Sequence, residues 1–240
     1  MTSNHSAATP AAEALAGRLA RLGPGAGVDG RQAVLPDPLQ AFHRRLLKGF
    51  VTGTGAPDAA VVARRAAELG LDPEAALEAL AAADLVDTDP ATRSISIAYP
   101  FSWRPTPYRV ELAGGPAVFA MCAVDALGIP QMLRRDGRIS SVDPASGQPI
   151  TAEIHDGLWR FQPATVLLVG RAAGGDAGGP VADCCCPFIN FHINREAAEA
   201  YRRAHPGMTG RLFGQTEAVR AARQAVGSLL DPSNPPERTP

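Results

Sequence analysis

The spacing of apolar and polar residues predicts a helical first part of the chain. A short amphipathic helix is predicted over residues 11–22, followed by a Gly-rich loop over residues 23–30. A second helix is predicted to begin near Asp37, whose side chain suits an N-cap. Two more helices are predicted over residues 57–69 and from residue 73, and residues 85–99 favour two short strands around an Asp-Pro turn.

Beyond about residue 101 the pattern changes to short runs that are typical of β-strands. These strands are predicted over residues 108–112, 138–142, 149–154, 164–170 and 187–193. A Gly-rich stretch, residues 170–180, is predicted to be a flexible hairpin or lid, and helices over residues 195–205 and 215–230 close the chain. This combination of sheet and helices predicts an α+β fold.

These elements divide the chain into four predicted parts. Residues 1–30 are expected to be a mobile segment with a short helix, and residues 31–100 a helical, winged-helix-like domain. Residues 101–230 are expected to form an α+β domain with a mixed sheet, and residues 231–240 a disordered tail.

A winged helix raises the possibility of a DNA-binding regulator, which the charges disfavour. The helix that would enter the DNA groove, from residue 72 to residue 84, contains no Lys or Arg. It carries Asp72, Glu74, Glu78 and Asp84, which would repel phosphate. We therefore expect no nucleic-acid partner and a structural or substrate-covering role for this domain.

Composition places the chain among soluble globular proteins. Hydrophobic residues make up 45% of the 240 residues, charged residues 20%, and the formal net charge is −1. No apolar run approaches the roughly 20 residues that span a bilayer, and the first ten residues lack the pattern of a signal peptide. We expect a cytoplasmic protein without a membrane partner, in which the four cysteines are thiols for metal binding or catalysis.

One cysteine, Cys122, lies three residues before Asp125 in the apolar stretch MCAVDALGIPQML. If this stretch is helical, the thiol and the carboxyl lie on one face and can act on one atom. A helix N-terminus would favour a thiolate at Cys122, whereas apolar neighbours would keep Asp125 protonated, which suits a nucleophile beside a proton donor. The alternative is a buried, apolar Cys122 with Asp125 as a helix cap.

The other three cysteines, Cys184, Cys185 and Cys186, are consecutive. On an extended segment, only Cys184 and Cys186 would share a side. A further thiolate from Cys122 would complete a site for a soft or borderline metal such as copper(I), zinc or mercury(II). The spacing does not fit a structural zinc site, and three buried apolar cysteines are the alternative.

At these stretches the sequence resembles the organomercurial (alkylmercury) lyase family. The matching segments are PTPYRVEL from Pro105, MCAVDALGIPQML from Met121 with the following RRDGRISS, and CPFINFHINREAAEAYRRAHPGMTG from Cys186. The helices and hairpin of residues 37–99 are also similar in layout to the N-terminal winged-helix-like domain of that family.

The resemblance implies an enzyme that breaks carbon–mercury bonds by protonolysis. It implies that Cys122 and Cys186 hold mercury and that Asp125 donates the proton, so that mercury(II) is left on the two thiols and the carboxylate of Asp125. Cys184 and Cys185 are two cysteines beyond the family pattern and are additional candidate metal ligands. No organic cofactor is implied. Mercury(II) would be the bound product, and its release would need external thiols or a mercury-handling acceptor protein.

Several positions depart from the family pattern. Met121 stands where Trp is usual, and Pro187 where a second cysteine is frequent. Asp143 replaces a cysteine of some members, and His192 replaces an aromatic residue. Two alternatives remain open: a thiolate protein that binds copper(I) or mercury(II) without cleavage, and a lyase of the same fold with a non-mercury substrate.

Overall fold

The structure is a computed structural model that describes residues 10–22, 27–52, 57–89, 94–173 and 180–231. The described residues leave out residues 1–9, the central part of the predicted Gly-rich lid and residues 232–240. The mobility expected of the first segment and the disorder expected of the tail therefore fall outside the described residues. The helices of the described residues are α1 (Pro10–Ala20), α2 (Val28–Ala33), α3 (Asp37–Val51), α4 (Ala59–Ala67), α5 (Pro73–Ala82), α6 (Ala123–Leu133), α7 (Val181–Cys184), α8 (Arg195–Ala204) and α9 (Gln215–Val226).

The N-terminal helices begin and end largely where the sequence predicts. Asp58 and Asp72 cap α4 and α5, and each carboxylate accepts a hydrogen bond from the backbone N–H three residues later. Asp37 is the first residue of α3 rather than its N-cap, because Pro36 occupies that position. The expected loop over residues 23–30 was also too long, since α2 begins at Val28 and buries that side chain.

The strands form two sheets. The strands are β1 (Val86–Thr88), β2 (Ile95–Ala98), β3 (Phe101–Ser102), β4 (Arg109–Leu112), β5 (Ala117–Ala120), β6 (Gly137–Val142), β7 (Pro149–His155), β8 (Leu158–Gln162), β9 (Val166–Ala172), β10 (Ile189–His192) and β11 (Met208–Phe213). The larger sheet has the order β1-β2-β3-β5-β4-β6-β7-β8, and the smaller has the order β10-β9-β11.

All strand pairs among the described residues are antiparallel, so the expectation of a mixed sheet was wrong. Short turns join successive strands such as β6, β7 and β8, and such turns can only join antiparallel neighbours. The α+β class itself is confirmed. None of the helices in the described part of the chain combines the length and the apolar character that crossing a membrane requires.

The larger sheet runs across the predicted domain boundary at residue 100. The β1–β2 hairpin follows the N-terminal helices, yet β2 pairs with β3 and β3 pairs with β5 of the second half. The order of three helices and a hairpin is found where the sequence predicts it, whereas a winged-helix arrangement stays a prediction. The shared sheet brings the N-terminal helices close to residues that follow β5.

Helix α6 is the central helix of the second half and is buried on nearly all sides. It packs against α9 and against strands β4, β5 and β10. Gly128 permits the close approach to α9, since a Cβ at this position would lie 2.1 Å from Cγ2 of Val226. This packing fixes the N-terminus of α6, where the candidate chemistry lies.

The segment around the three consecutive cysteines differs from the predicted strand over residues 187–193. Cys184 ends the short helix α7, and a 3₁₀ turn, Cys186–Phe188, precedes β10. Strand β11 was not predicted, because its alternating pattern in the sequence MTGRLF is interrupted by Gly210. The last helix ends at Val226, earlier than predicted.

Candidate active site

Cys122 is the N-cap residue of α6 and follows directly after strand β5. Its backbone is extended, with φ −151° and ψ 179°, so the chain turns from the strand into the helix at this residue. Asp125 lies in the first turn of the helix, and the Cys122 Sγ donates a hydrogen bond to Asp125 Oδ2 at 3.0 Å. The expectation that the two side chains share one face is therefore confirmed.

Cys186 joins this pair from a distant part of the sequence. It begins the 3₁₀ turn before β10, and β10 packs beside α6. The ligand atoms of Cys122, Asp125 and Cys186 all lie within 4.8 Å of one another, and all three residues are buried. The arrangement offers two soft sulfur ligands and one carboxyl group to a single bound atom.

Burial controls the protonation of Asp125. Only 4% of this residue is exposed, and burial raises its pKa from 3.8 to about 7. Hydrogen bonds from the Cys122 thiol and backbone N–H, together with the charge of Arg31, oppose the rise but do not cancel it. Burial therefore supports the expectation of a raised pKa, at which the carboxyl group takes up and releases a proton near neutral pH.

Burial works against the thiolate that the sequence predicts at Cys122. Burial raises the pKa of the Cys122 thiol well above its usual value, and the neighbouring Cys186 and Asp125 raise it further. The backbone N–H of Asp125 at the helix N-terminus lowers the pKa, but it is the weaker effect. Desolvation therefore outweighs the helix terminus, and the thiol keeps its proton until a soft metal displaces it.

Residues of the N-terminal half complete the surroundings of this site. The guanidinium of Arg31 lies 5.8 Å from the centre of the Tyr99 ring and forms an ion pair with Asp84. Burial, followed by the proximity of Cys186, raises the pKa of Tyr99, and its hydroxyl is buried without a hydrogen-bond partner among the described residues. Asp84 also accepts a hydrogen bond from the backbone N–H of Val181 at 3.0 Å, which ties α7 to this half. No motif in the sequence pointed to Arg31 or Tyr99.

A polar network fixes the turn that carries Cys186. The amide of Asn190 donates to the carbonyl of Pro187 at 2.9 Å, and the hydroxyl of Tyr201 donates to the same carbonyl at 3.1 Å. Tyr108 donates to Oδ1 of Asn190 at 2.5 Å, joining the segment before β4 to β10. Sequence reasoning missed these positioning residues, although Tyr108 and Asn190 lie inside the segments that resemble the lyase family.

Cys184 and Cys185 form a separate pair. Their Sγ atoms are 3.2 Å apart, with Cys184 buried and Cys185 half-buried. Burial raises the pKa of Cys185 to about 12, and the adjacent Cys184 contributes to the rise. The described residues contain two groups of three candidate ligands, Cys122 with Asp125 and Cys186, and a surface group around His155, and neither contains Cys184 or Cys185.

Two of the departures from the family pattern contact each other. His192 Nδ1 lies 2.9 Å from Asp143 Oδ1, and both side chains are fully buried. Burial lowers the pKa of His192, which keeps the imidazole neutral near pH 7 despite the nearby carboxylate. The pKa of Asp143 is lowered in spite of its burial, because the Ala145 N–H, Ser146 and His192 donate to the carboxylate. The pair supplies a buried hydrogen bond between the end of β10 and the turn that follows β6.

Comparison with known proteins agrees with the resemblance noted in the motifs. A family model described as alkylmercury lyase matches residues 101–227, which is more than half of the chain. The alkylmercury lyase of Streptomyces lividans is 26% identical over 165 residues, covering 68% of this chain and 74% of that protein. The alkylmercury lyase of Staphylococcus epidermidis is 27% identical over 169 residues, covering 70% of this chain and 74% of that protein.

The fold is similar to that of a solved structure. The crystal structure of the mercury-bound form of MerB2 matches with a TM-score of 0.68 and 20% identity, over 91% of this chain and 99% of that chain. The structural similarity shows a shared fold, and the family model covers the region that contains Cys122, Asp125 and Cys186. The protein is therefore a member of the alkylmercury lyase family of enzymes.

Proposed function

We propose that this protein cleaves the carbon–mercury bond of organomercurials by protonolysis, giving a hydrocarbon and mercury(II). The observation that carries the proposal is the buried cluster of Cys122, Asp125 and Cys186, with ligand atoms within 4.8 Å of one another. Two thiols suit a soft metal, and a carboxyl group at the same point can supply a proton to the departing carbon.

The two thiols bind mercury in succession. Asp125 Oδ2 already accepts the hydrogen bond of the Cys122 thiol, so it is placed to take that proton when Cys122 binds the metal. Cys186 then gives a second sulfur ligand, and its proton leaves with the displaced counter-ligand of the organomercurial. With two thiolates on mercury, electron density on the metal increases and the bond to carbon weakens.

Asp125 then transfers its proton to the carbon atom as the carbon–mercury bond breaks. The bonding electron pair stays with the carbon, so the products are a neutral hydrocarbon and mercury(II) on two thiolates. A pKa of about 7 suits this step, because the group can both accept a proton from a thiol and give it up near neutral pH. No redox change and no organic cofactor is needed for this balance.

Product release requires other thiols. Mercury(II) bound by two buried thiolates leaves only when incoming thiols replace Cys122 and Cys186 as ligands, because soft thiolates bind this metal strongly. We expect small external thiols or a mercury-handling acceptor protein to take this role. We also place the protein in the cytoplasm, where such thiols are abundant.

The test is the release of benzene from phenylmercury in the presence of excess thiol, measured by headspace gas chromatography. The parent protein is compared with Cys122→Ala, Cys186→Ala and Asp125→Asn, and all four proteins are assayed for mercury(II) binding. We expect catalytic benzene release only from the parent, with mercury binding retained in Asp125→Asn.

Two results would redirect the proposal. Tight mercury binding without benzene from the parent would indicate a thiolate metal-binding protein for mercury(II) or copper(I). Neither benzene nor tight mercury binding would indicate a lyase of this fold with a non-mercury substrate. Benzene release by Asp125→Asn at the parental rate would mean that another group donates the proton.

A further inference from the structure

Cys184 and Cys185 are not used in the reaction described above. Their Sγ atoms lie 3.2 Å apart at the end of α7, immediately before the 3₁₀ turn that carries Cys186. We propose that this pair is a second, two-thiol site for a soft metal ion, which holds mercury(II) after it leaves the reaction site. The site-to-site transfer rests on the proposed function, whereas the binding of the ion does not.

The geometry of the pair favours a shared metal ion over two independent apolar side chains. Two sulfur atoms at 3.2 Å lie on the same side of the chain and can both reach one ion once the side chains rotate apart, because thiolates bind a metal such as zinc at about 2.3 Å. All four cysteines lie in the described residues and are reduced. Two thiolates on one soft ion are the ligand type that selects mercury(II), copper(I) and related metals.

The pair lacks the third component of the reaction site. The reaction site combines two thiols with a carboxyl group, those of Cys122, Cys186 and Asp125. Among the described residues, no cluster of three such ligands includes Cys184 or Cys185. Without a carboxyl group to donate a proton to carbon, the pair can bind a metal ion but has no acid for protonolysis. The second site is therefore a binding site for inorganic mercury(II).

The position of the pair suits transfer from the first site towards solvent. Cys185 directly precedes Cys186 and is half-buried, whereas Cys122 and Cys186 are both buried. The anchoring of α7 by the hydrogen bond from the Val181 N–H to Asp84 holds the segment against the N-terminal half.

The transfer is a ligand exchange in which atoms and protons balance. The sulfur atoms of Cys185 and Cys184 bind mercury(II) and release their two protons. Cys122 and Cys186 lose the metal and take up two protons, so the first site is restored for another turnover without any change in oxidation state.

The binding test uses reduced protein and inorganic mercury(II), with a fixed excess of a monothiol as competitor. Equilibrium dialysis followed by elemental analysis gives the number of ions bound per chain. Two double variants are compared with the parent: Cys184→Ala/Cys185→Ala, which keeps the first site, and Cys122→Ala/Cys186→Ala, which keeps the second. Each retains two thiols, so they are matched controls, and thermal denaturation confirms that each is folded.

We expect two ions per chain for the parent and one for each double variant. One ion per chain for the parent, or none for Cys122→Ala/Cys186→Ala, would overturn the second site. Should a double variant fail to fold, the corresponding Cys→Ser pair is used, and the stoichiometry of the parent decides by itself between one site and two.

The transfer is tested by the burst of benzene from phenylmercury when no thiol is added. With transfer, the parent releases two equivalents of benzene per chain before it stops, and Cys184→Ala/Cys185→Ala releases one. A burst of one equivalent from both proteins would overturn the transfer. No benzene from either would refute the proposed reaction, and the dialysis result for the second site would stand independently.

Discussion

The replacement Asp125→Asn provides a test of the site through protein stability as well as activity. The substitution exchanges a titratable carboxyl group for a neutral amide of nearly the same shape. Only 4% of Asp125 is exposed, and burial raises its pKa from 3.8 to about 7 in the folded protein. The folded state therefore binds this proton more tightly than the unfolded chain does, and the stability that the proton supplies is present below pH 3.8 and lost as the pH rises to about 7.

The size of this effect follows from the pKa difference. At about 1.36 kcal/mol per pKa unit, a change from 3.8 to about 7 removes about 4 kcal/mol from the free energy of unfolding of the parent. About 2 kcal/mol of this loss falls between pH 5 and pH 7, where the carboxyl group of the unfolded chain is already ionised. Asn at this position has no such loss, and its amide oxygen can still accept the hydrogen bond from the Cys122 thiol, so any further cost of the substitution is independent of pH and about 1 kcal/mol.

The assay is urea denaturation of the parent and of Asp125→Asn at pH 5, 6, 7 and 8 with reductant present. We expect the difference in free energy of unfolding to move in favour of the variant by about 3 kcal/mol across this range. Asp143→Asn is the control of opposite sign, because the pKa of Asp143 is lowered and its charged form stabilises the folded protein. Asp143→Asn should be less stable than the parent by a constant amount from pH 5 to pH 8, because the pKa of Asp143 lies below this range in both the folded and the unfolded protein.

The reasoning would be refuted if the parent and Asp125→Asn showed parallel curves of stability against pH. Parallel curves would mean that the carboxyl group is solvated or paired in the folded protein. In that case a proton held near neutral pH could not be the source of the hydrogen in the hydrocarbon.

Three further predictions address positioning and packing. Cys186→Ala should abolish benzene release, whereas Cys184→Ala should retain most of the parental rate when external thiol is in excess. Equal losses of rate in the two variants would show that the second mercury ligand is misassigned. Asn190→Ala removes the donor to the Pro187 carbonyl. It should lower kcat at least several-fold in kinetic assays and lower the free energy of unfolding by about 1–3 kcal/mol in urea denaturation. An unchanged kcat would contradict the positioning role of Asn190. Gly128→Ala places a methyl group 2.1 Å from Cγ2 of Val226 and should cost about 1–3 kcal/mol in thermal denaturation; an unchanged midpoint would show that α9 shifts freely.

The sequence by itself determined most of the N-terminal helices, several strands and half of the site. Caps such as Asp58 and Asp72 fix where α4 and α5 begin, because the residues that satisfy the first backbone N–H groups are local. The spacing of Cys122 and Asp125 was sufficient to place both on one face of a helix, since residues three apart are neighbours there. Burial of Asp125 among apolar neighbours also followed from the sequence around it.

Only the tertiary structure decided which distant groups meet at this site. Cys186 reaches Cys122 because β10 packs beside α6. Tyr99 lies between β2 and β3 of the larger sheet, which crosses from one half of the chain to the other, and Arg31 is brought in by the packing of α2 against α9. The protonation of Cys122 was also a tertiary outcome: the helix terminus is a local effect, but the desolvation that outweighs it depends on everything packed around the thiol. Local patterns carry information about neighbours in sequence, whereas contacts over long sequence separations and burial depend on how the whole chain packs.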